Sequence, residues 1–172
     1  MLIPFKSIID KYGVQPKGVF HIGASVAQEC EDYYANGVER SVWIEAIPAV
    51  YKEMKQVISK YPKTFGINAC ISDVNGSEVE FNISSNNGES SSVFEFGTHS
   101  SMHPDVTFID KIKLKTRRVD SLIIQHGINI KEFDFLNCDL QGSELLALKS
   151  MGDMIRGFKI VYIEINREEL YK

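Results

Sequence analysis

The stretch Gly18-Val-Phe-His-Ile-Gly-Ala-Ser-Val-Ala-Gln-Glu29 constrains this chain more than any other part of it. It reads as a short apolar strand, a tight turn at Gly23-Ala24 and the first turn of a helix. A second apolar strand, Val42-Trp-Ile-Glu45, follows after about twenty residues and ends in a carboxylate. A strand–turn–helix–strand–acid unit belongs to a parallel α/β sheet that holds an adenosine-bearing ligand. The turn brings backbone N–H groups close to the ligand, and the acid meets ribose hydroxyls.

The remaining chain continues the alternation. Phe5, Ile8, Ile9 and Tyr12 share one helical face, stopped by Gly13. The helix after the first strand is expected from about Ser25 to Asn36. Pro48 opens another helix at the position where its missing N–H costs nothing, with Val50, Met54, Val57, Ile58 and Tyr61 inward. Thr64–Ile71 reads as a third strand, giving β-α-β-α-β and hence right-handed crossovers. Ser77–Ile83 and Lys111–Val119 alternate as half-buried strands around an irregular, Ser- and Asn-rich stretch from Ser84 to Ser101. Val119–His126 is a short helix, Phe133–Cys138 a fourth core strand, and Ser143 to about Met151 the next helix. Lys159–Ile165 is a fifth core strand, and Arg167–Lys172 begin a helix. Nothing follows to cover the edge of that last strand. The native polypeptide is therefore expected to continue further, or a second copy to shield the edge as a homodimer.

The 172 residues suffice for one domain with one core. A formal charge of -4 argues against a nucleic-acid partner, and no apolar run reaches the length of a membrane span. Cys30, Cys70 and Cys138 form no CxxC pair and read as buried reduced thiols, which places the protein in the cytoplasm.

A dinucleotide turn needs G-x-G-x-x-G, because a pyrophosphate must approach the backbone closely. Here the three positions are Gly23, Ser25 and Gln28. That disfavours a nicotinamide-dependent oxidoreductase. S-adenosylmethionine has no pyrophosphate and tolerates such a turn. The competing structural explanation is that Gly23-Ala24 merely connects strand to helix.

The sequence resembles the FkbM-type methyltransferases, a branch of the class I S-adenosylmethionine-dependent enzymes. The resemblance rests on Val19–Glu29, the Tyr34…Gly37 pair, Val42-Trp-Ile-Glu-Ala-Ile-Pro48, Arg118-Val-Asp-Ser-Leu122, Phe133-Asp-Phe-Leu-Asn-Cys-Asp-Leu-Gln-Gly-Ser-Glu-Leu-Leu146 and Tyr162-Ile-Glu-Ile-Asn166. It implies a Rossmann-like sheet of core order 3-2-1-4-5 with helices on both faces. An added β-hairpin region is expected, and the C-terminal strands of the usual fold are missing. Gly23, Ala24 and Ser25 would wrap the methionine part of S-adenosylmethionine. Glu45 would bind the ribose. Adenine would lie near Cys70, Ile71 and Ser72, and Asp139 near the methyl-donor end. His21, Gln28, Glu29, Ala46 and Gln141 complete the implied cofactor site. His21 stands where many class I methyltransferases carry an acid.

A hydroxyl acceptor must lose its proton as it is methylated. Candidates to take it are Asp139 and Glu164 at strand ends, and His99 and His103 in the irregular loop. Asp139 could instead cap the helix from Ser143, while Gln141 and Glu144 are read as holding the turn. Asp139, Glu164 and Asn166 could also hold a divalent ion, but the sequence does not show that they converge, so no metal is assigned. Ser90-Ser91-Ser92 offers hydroxyls to a polar substrate. Lys111, Lys113, Lys115, Arg117 and Arg118 read mainly as a solvated strand face, with a phosphate or acidic-sugar seat as the sharper reading. The resulting expectation is an O-methyltransferase acting on a sugar, glycan or small natural product. The alternative is a non-catalytic cofactor-binding or interaction domain of a larger glycan-modifying protein.

Overall fold

The computed structural model describes residues 3–86, 88, 90–98, 102–165 and 170–171. The elements run α1 (Phe5–Tyr12), β1 (Gly18–Ile22), α2 (Cys30–Ala35), β2 (Arg40–Glu45), α3 (Pro48–Ile58), β3 (Thr64–Asn68), β4 (Cys70–Ile71) and β5 (Glu78–Ser84). They continue with β6 (Phe108–Arg117), α4 (Val119–Gln125), β7 (Phe135–Cys138), α5 (Glu144–Met151) and β8 (Ile160–Ile163). A five-stranded sheet has the order β3-β2-β1-β7-β8, all neighbours parallel. This is the expected 3-2-1-4-5 core, a Rossmann-like α/β fold. The order reverses between β1 and β7, where such sheets open a crevice beyond their carboxyl ends.

The strands are apolar on both sides because helices cover both faces. Phe20, Ile22, Val42, Ile44 and Leu136 pack with Val119, Leu122 and Ile123 of α4 and Ala147 and Met151 of α5. Their alternates Val19, Trp43 and Phe135 face Phe5, Ile8 and Ile9 of α1, Tyr33 of α2, and Met54 and Ile58 of α3. Each fully buried side chain of this size contributes about 1.5–3 kcal/mol.

Three expectations are corrected. The helix after β1 does not start at Ser25: Ser25 and Ala27 have φ of 47° and 59°, and a right-handed helix cannot run through left-handed residues. It starts at Cys30. The third strand ends at Asn68, and Cys70–Ile71 leave the main sheet to pair in parallel with β6. There they join β5 in a small sheet of order β4-β6-β5, in which β5 and β6 are antiparallel. The expected added hairpin is this β5–β6 pair. The last core strand is also shorter than expected, ending at Ile163 and forming one edge of the sheet. The helix expected from Arg167 lies mostly outside the described residues.

Among the described residues no helix is long and apolar enough to cross a membrane. The three cysteines are free and buried. Burial pushes the thiols of Cys30 and Cys70 up to about 12.

Candidate active site

Four strand ends converge on one crevice. Gly23 follows β1, Glu45 closes β2, Asp139 follows β7 and Glu164 follows β8. The turn after β1 is tied to β2, since the N–H groups of Gly23 and Ala24 both donate to the Ile44 carbonyl at 3.0 Å. Gly23 has φ +79°, and a Cβ on it would lie 1.7 Å from the Asp139 carbonyl oxygen. Only glycine allows β1 and β7 to end this close together.

Glu45 is 8% exposed. Its Oε2 accepts from the Ser25 N–H at 3.0 Å and its Oε1 from the Ile47 N–H at 2.7 Å. Burial raises its carboxyl to about 7 against these backbone donors. Asn68 steadies the strand end by donating to the carbonyls of Glu45 and Ala46, at 2.8 and 2.9 Å. A narrow pocket of about 60 Å³ runs from Glu45 past Ala46, Cys70 and Ile71 to Asp139. Ser72 does not line it: its N–H donates to the Arg117 carbonyl within the small sheet. Ile47, Phe81 and Val93 do line it, which the sequence reading missed.

A larger cleft of about 460 Å³ adjoins this pocket and shares Gly23, Ser25, Asp139 and Gln141 with it. His21, Gln28, Glu29, His103 and Glu164 also line it. At its end a single amide holds two carboxylates. Gln141 Nε2 donates to Asp139 Oδ1 at 2.6 Å and to Glu164 Oε2 at 2.9 Å, while the Tyr171 hydroxyl donates to Gln141 Oε1 at 2.5 Å. The carboxyl of Glu164 rises to about 7, through burial first and then through Asp139, to which it hydrogen-bonds. Asn166, the third proposed oxygen ligand, and His99 lie outside the described residues. Among the described residues no group of three His, Cys, Asp or Glu could hold a metal ion.

Glu144, read as structural, accepts from the N–H groups of Leu140 and Gly142 at 2.7 and 3.1 Å. These bonds hold the turn before α5, while the carboxylate of Asp139 accepts from Gln141. The serine run is largely consumed within the fold. Ser84, Asn86, Ser90 and Ser91 bond one another, and the Ser92 hydroxyl donates to the Gln141 carbonyl at 2.8 Å. The run fastens the irregular loop onto the turn that carries the acids, and Asn86 and Ser90 still reach the cleft. Two of the β6 lysines are paired with acids. Lys113 pairs with Glu78 at 3.3 Å and Lys111 with Glu95 at 2.9 Å. Arg118 is a clamp: it pairs with Asp120 at 2.6 Å and donates to the carbonyls of Asp73 and Ser150.

His21 is buried, so its imidazole is pushed below its ordinary value, with Glu29 and Asp139 pulling it back up. Tyr33 and Asn137, which sequence reading passed over, contact it directly or through one another: Asn137 Nδ2 donates to the Tyr33 oxygen at 2.9 Å, and that oxygen stands 3.4 Å from His21 Nδ1. A lone asparagine inside the apolar run Phe135-Leu-Asn-Cys138 was the available signal.

A parallel sheet with this strand order, an acid closing β2 and a carboxylate pair beyond β7 and β8 belongs to the Rossmann-like methyltransferase class. The family profile described as methyltransferase FkbM domain matches residues 19–172, and the chain belongs to that family of methyltransferases. It is similar in structure to the methyltransferase FkbM from Methylobacillus flagellatus KT, with a TM-score of 0.55 and 16% identity over 87% of this chain. The match spans 32% of that longer chain. No curated protein matches.

Proposed function

We propose that this chain transfers a methyl group from S-adenosylmethionine to a hydroxyl of a sugar, glycan or small natural product. The observation that carries the reading is the Asp139–Glu164 pair bridged by Gln141, at one end of a crevice whose other end is Glu45. Glu45 and Glu164 end strands three sheet positions apart, roughly 14 Å at the usual strand spacing.

The residues suit this donor. Glu45 offers a carboxylate to vicinal ribose hydroxyls, and Ala46, Cys70 and Ile71 offer an apolar wall beyond it. Among the described residues the larger cleft has Glu29, Asp139 and Glu164 on its walls and neither lysine nor arginine, a field that favours a cation. The turn at Gly23–Ala27 opens no helix, so it provides no helix N-terminus for a pyrophosphate.

The donor, when bound, supplies a methyl carbon activated by a sulfonium. The protein has to align an oxygen with that carbon and remove its proton. Gln141 fixes both acids with its one amide. As Glu164 ionises near pH 7, the pair becomes able to take the hydroxyl proton while the new C–O bond forms.

Calorimetry with S-adenosylhomocysteine and with NADH tests the reading. S-adenosylhomocysteine should bind, and Glu45→Ala should weaken it by about tenfold or more, the usual cost of a lost hydrogen bond to a charged group. Binding of NADH alone would exclude the methyl donor.

A further inference from the structure

The Gln141 amide that joins the two acids stands at the end of a chain of hydrogen bonds that runs in one direction. The chain starts at a backbone group, which can only donate. The Ser90 N–H donates to Asn86 Oδ1 at 3.2 Å, and the Ser84 hydroxyl donates to the same oxygen at 2.6 Å. That turns the Asn86 amide nitrogen to Ser90 Oγ, to which it donates at 3.0 Å. With Oγ accepting from Asn86, the Ser90 hydroxyl proton is directed to the Tyr171 oxygen, its hydrogen-bond partner. Tyr171 in turn donates to Gln141 Oε1 at 2.5 Å. An amide whose oxygen is engaged on one side presents its nitrogen on the other, and the Gln141 nitrogen donates to both Asp139 and Glu164.

Tyr171 is seated by backbone and packing as well. The Leu170 carbonyl accepts from the Gly97 N–H at 2.7 Å, and Tyr171 forms an antiparallel bridge with Phe96. Its side chain lies against the turn that carries the acids: a Cβ on Gly142, at φ +106°, would stand 3.2 Å from Tyr171 Cβ. Burial, and then the neighbouring Glu164, push the Tyr171 hydroxyl well above its ordinary value, so it keeps its proton and remains a donor. A flipped Gln141 would point its oxygen at two carboxylates, an arrangement that is tolerable only when one of them is protonated and donates. Amide nitrogen inward therefore favours the ionised acids, and amide oxygen inward the protonated ones.

We infer that Tyr171 is a positioning residue: its hydroxyl holds the Gln141 amide with the nitrogen toward Asp139 and Glu164, and so keeps the acid pair ready to accept a proton. The use of that pair in catalysis rests on the methyl-transfer reading above, whereas the orientation itself does not. Among the described residues the titratable groups facing Glu164 are Asp139 beyond β7, Glu144 of α5 and Tyr171. The cleft walls add His21, Glu29, His103 and Tyr162. Removing the Tyr171 hydroxyl changes no charge in this set, so a shift in the titration of Glu164 reports the orientation of the amide.

The test is carbon-13 NMR of the glutamate side-chain carboxyls of the full chain, with the Glu164 signal assigned by its loss in Glu164→Gln. In Tyr171→Phe the Glu164 midpoint should rise by about one pH unit, the roughly tenfold gain in proton affinity expected when a donor to the carboxylate turns away. Gln141→Leu should raise it as well, and Tyr171→Phe should add nothing in that background, as for two residues acting through one contact. An unchanged midpoint in Tyr171→Phe overturns the assignment. So does an equal further rise on the Gln141→Leu background, since Tyr171 would then act on Glu164 without Gln141. If Tyr171→Phe fails to fold, the wild-type protein still decides: the Gln141 side-chain NH2 signals should titrate with the Glu164 midpoint, and NH2 signals that ignore it overturn the assignment. The methyl-donor reading fails separately, since absence of calorimetric binding of S-adenosylhomocysteine to the wild type would overturn it and leave the NMR result standing.

Discussion

Gly23 and Asp139 meet so closely that a single methyl group on Gly23 would occupy the space of the Asp139 carbonyl oxygen, 1.7 Å away. That contact joins the end of β1 to the end of β7, so it sets the spacing between the turn and the acid pair. Gly23→Ala must push β7 aside in addition to straining a backbone at φ +79°. We expect it to cost about 3 kcal/mol or more in urea unfolding. Gly13 also has positive φ, +60°, but open space around it. Gly13→Ala should cost only about 1 kcal/mol. Equal losses in the two variants would show that backbone strain, not the contact with Asp139, is what Gly23 relieves.

How much of this was legible beforehand depended on the range of the interactions. Apolar runs and Gly/Pro punctuation located the five core strands and most helices, because both faces of a parallel sheet are buried and its strands read as continuous apolar segments. The turn after β1 was misread as helical. Val26-Ala27-Gln28 has ordinary helix formers, and only the hydrogen bonds to Ile44 and the packing of Ala27 force Ser25 and Ala27 into left-handed conformations. Asp139 and Glu164 stood out as acids ending apolar strands. Their joining by Gln141 did not, since it depends on Gln141 adopting φ 53° and on Tyr171 arriving from the far end of the chain. Asn137 was passed over for the same reason: its bond to Tyr33, and through it the link to His21, is visible only once the strands and α2 are in place.

The acid pair should write itself into the pH dependence of methyl transfer. Glu164 is raised to about 7, so kcat/KM for a hydroxyl acceptor should climb through pH 7 and level off above it. Glu164→Gln should keep the amide contact region filled, abolish that limb and lower the plateau by roughly 10²–10⁴, the usual worth of a positioned base. A variant that retains a limb near pH 7 would place the titrating base elsewhere, with His103 the next residue to replace.

Glu45 predicts a pH-dependent stability of definite sign. Its carboxyl is raised from 4.5 to about 7 on folding, so between those values the native state binds more protons than the unfolded chain. Stability from this group therefore falls as pH rises through that window. The full effect corresponds to ~3 kcal/mol. His21 acts oppositely, since a buried neutral imidazole loses stability as pH falls below 6.5, so the wild-type curve alone is not diagnostic. The difference between Glu45→Gln and wild type is. Measured by urea unfolding, Glu45→Gln should gain stability relative to wild type on going from pH 5 to pH 8. A constant difference would mean that Glu45 is ionised throughout.

Two buried serines separate the frame of the site from its working parts. Ser150 is fully buried, accepts from the Val119 N–H at 3.0 Å and donates to the Ala147 carbonyl at 2.7 Å, which joins α4 to α5 on the far side of the sheet from His21. Ser150→Ala strands that N–H and should cost about 1–3 kcal/mol in urea unfolding. Ligand affinity of the folded protein should not change, because no cleft residue touches Ser150. Ser92 is buried to the same degree, but its hydroxyl donates to the Gln141 carbonyl and accepts from the Phe94 N–H. Ser92→Ala removes the hydroxyl that fastens the loop of Asn86 and Ser90 to the turn carrying the acids. We expect a smaller stability loss, about 1 kcal/mol, accompanied by a rise in KM for the acceptor, since the acceptor side of the cleft loses its anchor. Circular dichroism of the folded fraction and steady-state kinetics on both variants make the comparison. If Ser92→Ala behaves like Ser150→Ala, losing stability with KM unchanged, the loop is part of the scaffold and the acceptor binds elsewhere in the cleft.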